Sequence, residues 1–207
     1  MKSKPMLLKK NLGNAGSKEK RTIGLIGVNR GAGVTYTGML LAHYFGTDKR
    51  INTAFLECNS HMDFERLQNA YEWCKEDVKS FCFDRITYFK QVESYEISEI
   101  LSDDYGYYIL DFGTDFSEWE DEFLRCGTKI IIGDRAIWNQ SKAEELIKSL
   151  DNIKGSRTWT YMIPCADNSV LRGISHKTDR SFVSIPYEPD PTLLSKETHK
   201  LFMRLFG

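Results

Sequence analysis

Seven short runs rich in β-branched and aromatic residues, at 22–28, 52–57, 85–89, 107–112, 129–133, 158–163 and 182–185, punctuate the chain at intervals too long for hairpins. The segments between them, at 33–45, 62–79, 95–101, 116–124, 139–150 and 192–206, read as helices. In 139–150, for example, Ala143, Leu146, Ile147 and Leu150 fall three or four apart and form one apolar stripe. A strand, a helix and a second strand return the chain in its original direction, so repetition of this unit predicts a mostly parallel sheet. Several runs are apolar throughout, the pattern of strands covered on both sides. The expected fold is a three-layer α/β domain with helices on both faces of the sheet. No Pro- or Gly-rich linker and no internal repeat interrupts 22–207, which reads as one domain behind a 21-residue segment.

Charge separates the two parts. The chain of 207 residues carries 28 Lys and Arg against 29 Asp and Glu, a net charge of −1. Residues 1–21, however, hold Lys2, Lys4, Lys9, Lys10, Lys18, Lys20 and Arg21 against Glu19 alone, so this segment carries +6 and the remainder −7. With its Gly, Asn and Ser it reads as a flexible solvated basic arm, with an electrostatic tether to a membrane surface, nucleic acid or an acidic partner as the alternative; the lack of aromatic residues argues against base stacking. No stretch approaches the ~20 apolar residues of a membrane span. The apolar patch at 6–8 is also far below the ~7 to 15 residues of a secretion signal. Five scattered cysteines (Cys58, Cys74, Cys82, Cys126, Cys165), with no CxxC pair and no His at ligand spacing, suit a reducing compartment. The expected location is cytoplasmic, with a peripheral membrane association through the arm as the variant.

The first run leads into Gly27-Val28-Asn29-Arg30-Gly31-Ala32-Gly33-Val34-Thr35-Tyr36. A strand, a glycine loop and a helix whose first turn carries hydroxyls form an anion cradle: loop N–H groups converge and the helix dipole adds positive potential. Two templates fit the spacing. A phosphate loop places Gly, Lys and Ser or Thr in succession; here Gly33 and Thr35 are in place and Val34 takes the Lys position. A dinucleotide loop would use Gly27, Gly31 and Gly33, with Glu57 at the end of the second run as ribose partner. This spacing resembles the dinucleotide loop of short-chain dehydrogenases, and that resemblance implies an NAD(P) oxidoreductase with a Tyr-x3-Lys pair late in the chain, whereas Tyr71-x3-Lys75 comes early. A turn without a ligand is the third reading. Asp111 ends the fourth run in apolar surroundings, where a carboxylate requires a partner. A Mg²⁺ shared with Thr35 is one such partner and a backbone N–H cap is the other.

In motif order, 22–207 resembles the ParA/MinD superfamily of deviant Walker A ATPases, and within it the degenerate TadZ/CpaE-like relatives of bacteria. The segment Asn29 to Thr35 takes the place of Lys-Gly-Gly-x-Gly-Lys-Thr. Phe55-Leu56-Glu57-Cys58-Asn59 resembles the strand ending in Asp-x-Asp, Tyr107 to Gly113 the strand whose Asp orients Mg²⁺, and Ile185-Pro186-Tyr187 the segment beside adenine. The resemblance implies that Asn29, Arg30, Gly31, Ala32, Gly33, Val34, Thr35, Tyr36 and Pro186 line a site for ATP or ADP, with Thr35 and Asp111 at the metal. It implies equally what is lost. Val34 replaces the P-loop Lys, Asn29 the signature Lys that reaches across a dimer, and Asn59 the acid that activates water. Ile163-Pro164 stands where an adenine-reading Asn is common. A charged hydrogen bond to phosphate contributes ~1.5 to 3 kcal/mol, so nucleotide is expected to bind weakly or not at all.

The resulting expectation is a pseudo-ATPase with a positioning, regulatory or scaffolding role in secretion, pilus localisation or partition, working with a protein partner and able to form a homodimer. The alternatives are an ATPase in which Arg30 substitutes for the Lys, and the oxidoreductase. The final segment, 192–206, is amphipathic; it reads as a helix docked on the core, with a MinD-like membrane helix as the alternative. The four histidines show no metal spacing.

Overall fold

The computed structural model describes residues 21–70 and 78–207. The basic arm, apart from Arg21, and the Tyr71-x3-Lys75 pair lie outside the described residues. Eight strands form one sheet: β1 (Arg21–Gly27), β2 (Thr53–Glu57), β3 (Ser80–Phe83), β4 (Ile86–Phe89), β5 (Tyr107–Asp111), β6 (Thr128–Ile132), β7 (Thr160–Pro164) and β8 (Phe182–Ile185). Their order is β3-β4-β2-β5-β1-β6-β7-β8. Every pairing is parallel except that of β3 with β4 at one edge.

Among the described residues six α-helices lie between strands and a seventh follows the last: α1 (Val34–His43), α2 (Asp63–Ala70), α3 (Ser94–Ile100), α4 (Phe116–Arg125), α5 (Gln140–Leu150), α6 (Asn168–Thr178) and α7 (Lys196–Phe206). The buried side chains divide into two apolar clusters, as a three-layer fold requires. One joins Leu25, Leu40, Phe55, Ile109, Met162 and Phe202; the other joins Ile26, Leu56, Leu110, Phe123, Ile147 and Ile174. Alternate residues of the same central strands, such as Leu25 and Ile26, feed opposite layers, which is why their sequences are apolar without a break.

Two elements differ from the sequence expectation. The stretch expected to be helical over 62–79 is helical over Asp63–Ala70, its residues 71–77 lie outside the described residues, and after it Ser80–Phe83 forms a strand that the sequence reading did not include. Asp84, at φ 52, turns β3 back onto β4, and Asp is among the few residues that take this conformation at modest cost. Helix α6 was not expected because its buried stripe is short, only Val170, Ile174 and Thr178 among 11 residues. Asp167 fixes its start by accepting from the Ser169 and Val170 amides at 2.8 and 2.9 Å. α7 begins at Lys196, capped by Ser195, and buries Leu201 and Phe202, so the final segment is docked on the core. Among the described residues no helix is long and apolar enough to cross a membrane.

Candidate nucleotide site at the end of the first strand

Strand β1 lies between β5 and β6, and the connections on its two sides run to opposite halves of the sheet. At such a switch point the loops at the strand ends diverge and leave a crevice. The Gly27 amide donates to the Gly113 carbonyl at 2.8 Å and the Val28 amide to the Ile132 carbonyl at 2.9 Å, so the 28–33 loop rises between the tips of β5 and β6. Asn29 to Ala32 form a turn closed by the Ala32 amide on the Asn29 carbonyl at 3.1 Å. Gly31 and Gly33 take φ of 86 and 100, a region that residues with a Cβ rarely enter. Helix α1 then starts at Val34, and its first-turn amides have no helical acceptor of their own. The strand, glycine loop and helix expected from the sequence follow one another here.

The two lysines of the resemblance are absent from this loop. Val34 is buried, and a Cβ at Gly27 would sit 2.5 Å from its Cγ2, so Val34 packs apolar bulk onto the strand end. The Asn29 side-chain amide donates to Asp134 Oδ2 at 2.8 Å and to the Arg30 carbonyl at 2.9 Å, which ties it to this chain. Arg30 is exposed and forms no ion pair among the described residues.

Below the loop lies a buried acid. Asp111, 0% exposed, accepts from Thr35 Oγ1 at 2.7 Å and from the Gly113 amide at 2.9 Å. Burial pushes its carboxyl up to about 6, against the opposing pull of the Thr35 hydroxyl and the Gly113 amide. Thr35 also lies 3.5 Å from Asp63 Oδ2, at the start of α2. The two residues expected at the metal are therefore in direct contact. Among the described residues no group of three or more His, Cys, Asp or Glu converges on one point. Thr35 and Asp111 would thus hold a Mg²⁺ only with phosphate and water supplying the remaining oxygens.

The other candidate residues are engaged elsewhere. Glu57, 1% exposed, caps α2, its Oε1 accepting from the Asp63 and Phe64 amides at 2.6 and 3.2 Å. Burial still raises its carboxyl, against the pull of these amides and that of Gln91. A carboxylate spent in this way is not presented to a ribose. Asn59 donates to the Asp111 carbonyl at 3.0 Å and accepts from the His61 amide at 3.0 Å, which closes the loop after β2. Tyr36 Oη accepts from the Glu188 amide at 2.8 Å and donates to the Glu188 carbonyl at 3.2 Å, two residues beyond Pro186. Glu188 in turn accepts from the Ser195 amide and hydroxyl and from the Thr198 hydroxyl, which anchors α7. Pro164 touches the loop: a Cβ at Gly33 would lie 3.0 Å from its Cγ.

Sequence reasoning missed Asp63, Asp134 and Glu188, each next to the loop but distant in sequence. Asp134 carried one usable signal, an acid just past an apolar strand beside the glycine loop's own strand. Its Oδ1 accepts from the Ala136 amide at 2.8 Å and its Oδ2 from Asn29 and from Asn139 at 2.7 Å. Burial alone would raise the carboxyl, but these donors together hold it below its ordinary value.

No family model matches the sequence, and no curated protein matches it. Solved structures do. A putative plasmid partition protein from Borrelia burgdorferi B31 bound to AMPPNP superposes with a TM-score of 0.62 at 13% identity, over 90% of this chain and 97% of that one. A chain of the MinC:MinD cell division protein complex of Aquifex aeolicus gives 0.60 at 12%, over 82% of each chain. A ParA family ATPase from Chlorobium tepidum TLS gives 0.58 at 16%, over 82% and 86%. At these identities the likeness is one of architecture, and it agrees with the sheet order and with a glycine loop at the end of its central strand: the chain has the P-loop fold of the ParA and MinD ATPases.

Proposed function

We infer that this chain is a nucleotide-responsive positioning or scaffolding module that holds the phosphates of ATP or ADP on the 28–35 loop and turns them over poorly. The observation that carries the reading is Asp111. A wholly buried carboxylate with no cationic side chain beside it among the described residues is costly in a protein core, and it stands against the Thr35 hydroxyl in the first turn of the helix that follows the glycine loop. A divalent cation would supply charge neutralisation for both the carboxylate and the phosphates. Thr35 and Asp111 would hold that ion, while the loop amides and the start of α1 would orient the phosphates. Val34 offers no charge to a phosphoryl group in transfer, where such cations contribute on the order of 10³- to 10⁵-fold. Asn59 has no carboxylate to take a proton from water, and its amide is already bonded at both ends.

The purified protein should bind ATP in a Mg²⁺-dependent manner by calorimetry, with hydrolysis indistinguishable from background. Val34→Lys should tighten binding roughly tenfold or more, since a charged contact to phosphate contributes ~1.5 to 3 kcal/mol. Robust hydrolysis by the wild type would sink the reading. Loss of that activity in Arg30→Ala would establish the alternative, in which the exposed Arg30 replaces the Lys.

A module without turnover acts through what it holds, so a protein partner in a partition, pilus or secretion process belongs to this reading. A homodimer would need contacts other than the signature Lys, since Asn29 is committed to Asp134. The basic arm is proposed as an electrostatic tether to an anionic surface, membrane or nucleic acid, for a protein of the cytoplasm. Removing residues 1–20 should leave the thermal transition unchanged and abolish binding to anionic vesicles and to DNA at low salt, where unscreened charge acts farthest. Association that survives the deletion, or that ignores salt, would disprove the tether.

A further inference from the structure

The negative charge of the domain is gathered in one place. From 91 to 125 the chain holds eleven acids and one base, Arg125, a net charge more negative than the −7 of the whole of 22–207. All but the buried Asp111 lie on α3, α4 and the turns beside them, and Glu93, Glu99, Glu118, Glu120 and Asp121 are exposed. The two helices cover the same side of the sheet, where Ile97, Trp119 and Phe123 join one apolar cluster, and the Ser94 hydroxyl donates to Glu122 across them. They form one acidic face. Among the described residues a single ion pair touches these acids, Lys79 with Glu96 at 3.0 Å. At the N-terminal end of α4 the face opens into a cavity of about 720 Å³, whose lining includes Glu93, Tyr95, Asp115 and Glu118. Its two lysines are engaged, Lys79 with Glu96 and Lys90 with Gln68 at 2.9 Å. Tyr95 is 78% exposed and adds an aromatic ring of the kind that attracts ammonium groups.

The other end of α4 lies beside the start of β1, because the Gly127 amide donates to Thr22 Oγ1 at 2.8 Å. Residues 1–20, with six lysines against Glu19, join the domain at that point. Twenty extended residues reach up to about 66 Å and the ten residues of α4 span only about 15 Å, so the segment is long enough to follow the helix to the cavity. We propose that residues 1–20 dock on the α3–α4 acidic face of their own chain, and that this contact masks their lysines until an anionic surface competes for them. The inference rests on the tether reading above and adds its regulation. Single ion pairs between exposed groups are weak. Attachment to the same chain, however, gives the segment an effective concentration on the order of millimolar at this face, and several lysines together hold it there reversibly.

Carbodiimide coupling of the full chain tests the contact, since the reagent joins a lysine to a carboxylate it already meets. At low salt, in an equal mixture of unlabelled and heavy-isotope protein, residues 1–20 should couple to acids of 93–122 within one copy, and high salt should abolish the coupling. Coupling to no acid of this face, or only between copies, would overturn the proposal. Masking is read separately, with vesicles of phosphatidylglycerol and phosphatidylcholine in equal parts. Glu118→Gln combined with Asp121→Asn should bind them about threefold to tenfold more tightly than wild type, because a larger fraction of the molecules has its lysines released. Neither side chain is hydrogen-bonded or ion-paired among the described residues and both are exposed, so the fold is retained. Glu145→Gln combined with Glu197→Gln removes the same charge from α5 and α7 and should leave the affinity nearly unchanged. A gain at the acidic face no larger than in this control would overturn the masking. Vesicle binding by wild type without any coupling sinks the docked contact alone, whereas binding by none of the proteins sinks the tether reading and the masking with it.

Discussion

Replacing Phe202 by Ala is expected to cost about 4 kcal/mol of folding stability, enough to remove a large part of what holds a domain of this size together. The ring is 0% exposed and meets Tyr44 edge-on at 5.5 Å and Phe206 at 6.0 Å. Phe206 in turn meets Phe45, which stacks on Tyr107 at 3.6 Å. Truncating Phe202 therefore opens a cavity among rigid aromatic neighbours that cannot collapse into it. Urea denaturation gives the number directly. The same variant separates the two readings of the final helix: a core helix loses stability, whereas a membrane helix would lose vesicle binding at nearly unchanged stability. A loss below about 1 kcal/mol together with lost vesicle binding would overturn the docked assignment.

Asp111→Asn should act in the opposite sense and stabilise the metal-free protein at pH 7.5 by an amount on the order of 3 kcal/mol. The carboxyl titrates near 6 in the folded state and near 3.8 when unfolded. The folded state thus binds the extra proton between those values, and stability falls as pH rises through that window. Two pH units at about 1.4 kcal/mol each give the magnitude. An Asn in the same place can accept from the Gly113 amide and donate to Thr35 Oγ1. His43 works against Asp111. It is buried, bonded to Tyr88 Oη at 3.1 Å, and burial lowers its pKa from 6.5 to about 4. The unfolded state takes up that proton first, so its contribution to stability is lost as pH falls from 6.5 toward 4. The two slopes oppose each other in the wild type, whose stability should change little between pH 4 and 6. In the Asn variant the Asp111 slope is gone and no longer opposes that of His43, so the advantage at pH 7.5 should shrink steadily on acidification. Denaturation at pH 4, 5, 6 and 7.5 in EDTA measures both curves, and an Asn variant no more stable than wild type at pH 7.5 would refute the account. Stabilisation by removing a group is the usual mark of a residue kept for binding rather than for folding.

The parallel sheet was legible because both faces of its central strands are covered, which forces unbroken apolar runs such as Ile109-Leu110 and Ile130-Ile131-Ile132. The edge hairpin was not, since Ser80 to Phe83 has one covered face and four residues, and its turn at Asp84 carries no glycine. The same division holds at the site. Glycine positions announce the loop because backbone conformation is a local property. What Asn29, Glu57, Asn59 and Tyr36 do depends on Asp134, α2, Asp111 and Glu188, partners supplied by other strands and helices, so residue identity alone could show what these positions had lost but not what they had gained.

Arg21 opens β1 opposite Tyr107, whose hydroxyl it contacts at 2.6 Å, and β1 runs seven residues before the glycine loop begins. A strand of that length spans about 23 Å. The basic segment therefore joins the domain at the end of the sheet opposite the glycine-loop crevice. A molecule tethered by that segment would turn its crevice outward, toward whatever approaches from solution. Attachment and recognition would then occupy opposite poles and proceed together, the layout of an adaptor with one end fixed and the other free to report which ligand it carries.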